Sequence, residues 1–120
     1  MRSLPLLPNV ETLHCEQNQL TSLPKYPRLK KLYCDGNRLV SLPEYPCLQE
    51  LVCDNNNLAS LPEYPLLQTL DCRYNKMTSL PEYPYLIKLR YKGNPLTLLP
   101  HFPEEIDSEP EYEPEYDFDR

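Results

Sequence analysis

The sequence predicts a solenoid: short parallel β-strands stacked on one another, extended return legs behind them, and almost no helix. Three observations predict it. One segment recurs without gaps every nineteen residues, placing Val10, Leu29, Leu48, Leu67 and Leu86 in one column and Asn18, Asn37, Asn56, Asn75 and Asn94 in another. Leucine fills the first, fourth, eleventh and fourteenth places of the segment in most copies, and no single copy can bury these side chains alone, so the copies must stack and bury them together. Each copy also ends in two prolines three residues apart, which rules out a regular helix there.

Written out, the unit is LxxLxCxxNxLxSLPxYPx, seen at 48–66 as LQELVCDNNNLASLPEYPL. Its segment LxC, as in Leu32-Tyr33-Cys34 and Leu51-Val52-Cys53, alternates inward and outward as a strand does. Stacked copies then form a parallel sheet with strands about 4.8 Å apart. Beyond the strand the chain turns inside the protein and leaves backbone groups that need partners. Asparagine carries both donor and acceptor, so the column from Asn18 to Asn94 is expected to satisfy them. In SLPxYP each proline removes a donor and pushes its predecessor toward extended geometry. The return leg is therefore extended or polyproline-II-like, on the convex side of a thin rod whose sheet lines the concave side.

LPxYP joined to LxxLxCxxNxL resembles the shortest bacterial-type leucine-rich repeats, those of secreted effectors of the YopM and IpaH kind, where LPxLP fills the same place. With tyrosine in the leg and cysteine in the strand, the pattern is similar to tandem leucine-rich repeat proteins of giant amoeba-infecting DNA viruses. The resemblance covers residues 3–103. It implies a leucine-rich repeat solenoid, a surface for binding protein, and the cytoplasm of a host cell as the place of action. The IpaH kind carries a ubiquitin-ligase domain after its repeats, for which residues 104–120 are too short.

At 120 residues the chain has the length of one domain. It divides into an N-terminal half repeat (1–9), five nineteen-residue repeats (10–103) and an acidic tail (104–120). The tail holds nine acidic groups and one arginine, a net charge of −8, which leaves the rest at +2 from eleven basic and nine acidic groups. High charge and few aliphatics predict disorder for it. The start, MRSLPLLP, has no apolar run of seven and a proline at position 5, so neither a secretory leader nor a membrane span is expected. Because the first unit is only half present, its apolar end is either covered by residues 1–8 or meets another copy of the chain.

Cys15, Cys34, Cys53 and Cys72 occupy the inward strand place. They run in a row rather than converging, which does not suit zinc, and their parallel Cβ vectors do not suit disulfides. They are expected as buried thiols in a reducing compartment, inside a cell. Cys47 stands apart, near the convex surface. Tyr26, Tyr45, Tyr64 and Tyr83 form a further column, whose rings are expected to pack on one another with hydroxyls reaching toward solvent.

Strand residues between the leucines point out of the core and are the candidate binding set. They are His14; Lys31, Tyr33 and Asp35; Glu50, Val52 and Asp54; Asp71, Arg73 and Tyr74; and Lys88 and Arg90. They differ between copies while the framework does not, so the scaffold leaves them free. Polar residues with scattered tyrosines on rigid strands suit protein recognition. The face turns basic at its C-terminal end, with Arg73, Lys76, Lys88, Arg90 and Lys92, and the acidic tail either folds back over that end or serves as a solubilising segment.

Catalysis is not expected. His14 and His101 lie at opposite ends of the stack, and the sequence has no phosphate-binding loop, HExxH, CxxC or hydrolase elbow. No cofactor or metal is implied. Nucleic-acid binding is disfavoured by the short basic patch and the overall charge of −6. The expectation is a non-enzymatic module that binds a protein on its concave face, a host protein in the effector setting. The alternative is a self-assembling repeat protein that forms homo-oligomers through its N-terminal end.

Overall fold

The structure, a computed structural model, describes residues 4, 5 and 7–97. Each copy contributes one three-residue strand: β1 (Thr12–His14), β2 (Lys31–Tyr33), β3 (Glu50–Val52), β4 (Thr69–Asp71) and β5 (Lys88–Arg90). They form one parallel sheet in chain order, and the register advances nineteen residues per step, aligning Leu13, Leu32, Leu51, Leu70 and Leu89. No helix occurs among the described residues. The result is a parallel β-sheet solenoid of about four turns with the sheet on the concave side.

The strands begin one residue earlier than the LxC segment, at Lys31 rather than Leu32. The ladder nevertheless runs on through the cysteine: Cys34 N donates to Val52 O at 2.9 Å and Cys53 N to Asp71 O at 2.8 Å. Apolar spacing marks where side chains go inward, whereas the backbone pairs wherever two copies lie side by side.

The core is one spine. Leu29, Leu32, Leu39, Leu48, Leu51, Leu58 and Leu67 are fully buried, and Met77 takes the leucine place of the fourth copy. Cys15, Cys34, Cys53 and Cys72 are buried, unpaired thiols, as their inward place requires. Burial raises all four; Cys15 is pushed up to about 11 and Cys72 to about 12, so they stay protonated and inert at neutral pH. Cys47 is half-buried and also free.

The asparagine column ties each copy to the one before. Asn37 Nδ2 donates to the carbonyls of Cys34 and Cys15, both at 3.0 Å, and its Oδ1 accepts Leu20 N at 3.0 Å. Asn56 and Asn75 repeat the arrangement. Asn94 makes the same set with Tyr91 O in place of a cysteine carbonyl, and Asn18 bonds within its own turn, to Cys15 O and Glu16 O.

Two corners close every turn. In Tyr-Pro-x-Leu, Leu48 N donates to Tyr45 O at 3.2 Å and Leu67 N to Tyr64 O at 3.3 Å, with proline at the second position, where its fixed φ favours a β-turn. The tyrosine hydroxyls do not reach solvent. Tyr45 Oη donates to Pro24 O and Tyr64 Oη to Pro43 O, each at 2.9 Å, because the rings are fully buried and the carbonyls of the preceding copy lie within reach.

The other corner has positive φ in each copy: Gln17 (56°), Gly36 (73°), Asn55 (59°), Tyr74 (57°) and Gly93 (81°). A Cβ on Gly93 would lie 2.3 Å from Tyr74 Cδ1, whereas one on Gly36 would meet only the flexible end of Gln17. Gly93→Ala is expected to cost more than Gly36→Ala. Each carries the left-handed penalty of about 1–2 kcal/mol, and only the first must also displace a ring. Urea midpoints of the two variants check this.

Candidate recognition surface

Register turns the outward residues into three rows across the sheet. The first is Thr12, Lys31, Glu50, Thr69 and Lys88; the second is His14, Tyr33, Val52, Asp71 and Arg90. The third lies just past the strands, where Gln17 N→Asp35 O (2.9 Å), Gly36 N→Asp54 O (3.1 Å), Asn55 N→Arg73 O (2.9 Å) and Tyr74 N→Lys92 O (2.8 Å) align Glu16, Asp35, Asp54, Arg73 and Lys92. The candidate residues are thus brought onto one surface. His14, Lys31 and Lys88 are exposed, the other row members of that set are half-buried, and Tyr74 stands at the rim with its ring over Gly93.

Contacts within the rows were not legible from spacing. The His14 and Tyr33 rings stack at 4.5 Å with planes 13° apart. Glu16 Oε2 lies 3.1 Å from His14 Nδ1, and a backbone hydrogen bond together with this contact lowers the Glu16 carboxyl below its usual range. Burial and a hydrogen bond to Glu50 raise the Tyr33 phenol. Arg73 forks Asp71 through Nε→Oδ1 at 2.8 Å and Nη2→Oδ2 at 2.9 Å, so its charge is neutralised within the sheet and it adds little to the basic end. The basic end is carried by Lys76, Lys88, Arg90 and Lys92.

Burial, followed by neighbouring acids, raises the carboxyls of Asp35 and Asp54 above their ordinary values. Because their folded pKa values exceed the unfolded ones, their contribution to stability is largest below about pH 3.8 and falls as pH rises through the raised values. Asp54→Asn is therefore expected to stabilise the fold at pH 7, by about 0.2–1 kcal/mol as for relief of a like-charge cross-strand pair. The gain should vanish near pH 3, and urea melts at the two pH values check it.

On the opposite side, an open groove of about 890 Å³ lies between successive return legs, lined by Lys25, Ser41, Pro43, Glu44, Ser60 and Glu63 among others. Nothing in the sequence pattern marks it. Among the described residues no three His, Cys, Asp or Glu side chains are placed to hold a metal, and no helix is long and apolar enough to cross a membrane. His101 and the acidic tail lie outside the described residues.

No family model and no curated protein matches the chain. Among solved structures it is similar to YopM, a leucine-rich effector protein from Yersinia pestis, at 32% identity and a TM-score of 0.72, over 84% of this chain and 37% of that one. It is also similar to YopM from Yersinia enterocolitica, at 28% identity and a TM-score of 0.65, over 88% of this chain and 29% of the other. The chain thus spans about a third of the length of these proteins. Both are bacterial, and neither supports the expected resemblance to giant-virus repeat proteins. Period, register and asparagine ladder together make the chain a leucine-rich repeat solenoid of the architecture seen in YopM.

Proposed function

We propose that the chain is a non-enzymatic recognition module that holds a protein partner on the concave face of its sheet. The observation that supports this most is the three registered rows. Their residues differ in chemistry from copy to copy, yet they sit on a backbone whose hydrogen bonds run continuously from β1 to β5. A rigid support of this kind loses little entropy when a partner docks. The likeness to effector proteins favours a host protein as partner and the host cytoplasm as the place, and five free thiols fit a reducing compartment.

The test is capture of a partner from host-cell lysate by the full chain and by a variant carrying Tyr33→Ala, Glu50→Ala and Lys88→Ala. A partner held by the full chain and lost by the variant, with the β-sheet circular-dichroism signal unchanged, is expected. Identical capture by both would overturn the reading. A second reading, self-assembly, is favoured by one observation: Leu7 is 42% exposed beside the partly buried Val10 and Leu13 at the N-terminal end of the stack. Light scattering distinguishes it, since Leu7→Asp would reduce the particle mass of an assembly and leave a monomer unchanged.

A further inference from the structure

We propose that the part of the sheet face formed by the first three copies receives an arginine-bearing segment of the protein partner, laid along Glu16, Asp35 and Asp54 beside the stacked rings of His14 and Tyr33. The proposal rests on the recognition reading above and names the chemistry of the partner.

Four features point the same way. Carboxylates on three successive strand ends lie one strand spacing apart, and like charges so placed repel. The fold does not need them there, since the same row carries Arg73 and Lys92 in the next two copies. Partial burial first, and then neighbouring acids, chiefly Glu16 for Asp35 and Asp71 for Asp54, raise these two carboxyls, and a cation laid over the row would relieve that crowding.

The second feature is internal. Arg73 lies along this same face with Nε and Nη2 each bonded to Asp71, so the sheet surface accommodates a planar guanidinium in a two-point grip. Asp54, one copy earlier in Arg73's own row, takes a hydrogen bond from the Asn55 amide at 3.0 Å.

Thirdly, the His14 and Tyr33 rings lie flat against each other between carboxylates, with Glu16 on the histidine and Glu50 on the tyrosine. A guanidinium stacks on an aromatic face and forks a carboxylate at once, whereas an ammonium is a point charge that can do neither in this way. Lastly, Lys76 and Lys88 make the other end repel a cation. The face is thus polar along its length and gives the partner a direction.

The experiment titrates the full, isotope-labelled chain with three synthetic peptides of one backbone, carrying two arginines, two lysines or two citrullines. Amide shifts are expected to concentrate between residues 12 and 57. Arginine should bind more tightly than lysine, and citrulline should not bind. The double replacement Asp35→Asn, Asp54→Asn should weaken the arginine peptide about tenfold or more, and Lys25→Ala, in the groove between the return legs, should not weaken it. Equal binding of arginine and lysine, shifts spread evenly over the chain, or an unchanged affinity in the double variant would each overturn the proposal. The two readings fail differently. Partner capture that survives the aspartate replacements but is lost with Lys88→Ala sinks the arginine assignment alone, whereas capture indifferent to every sheet-face replacement sinks recognition itself.

Discussion

Asn56→Ala is expected to destabilise the chain by several kcal/mol, while Asn18→Ala costs less. Asn56 accepts Leu39 N at 2.9 Å and donates to Cys34 O and Cys53 O at 3.1 Å, all in the buried interior. Alanine leaves the buried Leu39 N without its acceptor and takes one of two amide donors from each carbonyl, since Cys34 O keeps Asn37 Nδ2 and Cys53 O keeps Asn75 Nδ2. At about 1–3 kcal/mol for the unsatisfied donor and about 0.5–1.5 kcal/mol for each of the two lost hydrogen bonds, the loss is on the order of 2–6 kcal/mol. Small domains have only about 5–15 kcal/mol in total, so the loss is decisive. Among the described residues, Asn18 is half-buried and bonds to Cys15 O and Glu16 O in its own turn, so its removal costs less. Urea denaturation of both variants measures the difference. Equal midpoints would mean that the asparagine ladder does not hold the copies together.

Tyr64→Ala is the second large effect, at about 3–5 kcal/mol by analogy with removal of other buried aromatic rings. The ring sits between those of Tyr45 and Tyr83, with centroids 6.3 and 6.4 Å away, and its hydroxyl donates to Pro43 O. Deleting it opens a void in the middle of the return-leg column and leaves a carbonyl without its donor. Tyr64→Phe separates the two contributions. It keeps the ring and should cost about 0.5–1.5 kcal/mol for the lost hydrogen bond alone, since the carbonyl belongs to the half-buried Pro43. Had the hydroxyl reached solvent, as the sequence suggested, phenylalanine would be neutral, so a melt of this variant tests the correction directly.

Much of the molecule was legible because a repeat states the same constraint five times. The nineteen-residue interval set the register of every strand pair, since equal segments that stack must align Leu13 with Leu32 and Leu51. It also placed the cysteines inside and the asparagines at the buried corner. The positive-φ corner was harder to see. Gln17, Gly36, Asn55, Tyr74 and Gly93 share a backbone conformation and no side-chain type, so only the recurrence of Gly at 36 and 93 and Asn at 55 hinted at it.

The candidate site divides along the same line. Alternation along each strand told which side chains leave the core, because period-two geometry is local, and that sufficed to name His14, Tyr33, Asp71, Arg73 and the rest. Which of them touch was decided by stacking. His14 meets Tyr33 across nineteen residues of chain, and Arg73 folds onto Asp71 instead of joining Lys88, because hydrogen-bond geometry and local burial choose among partners that spacing leaves equivalent.

The amino-acid order alone thus determined the solenoid, its interval and its inward and outward faces, since each follows from apolar side chains and prolines acting within one copy. Tertiary structure decided where the tyrosine hydroxyls bond, which charges cancel and which carboxylates crowd together. Those outcomes depend on distances between copies, which no single segment contains.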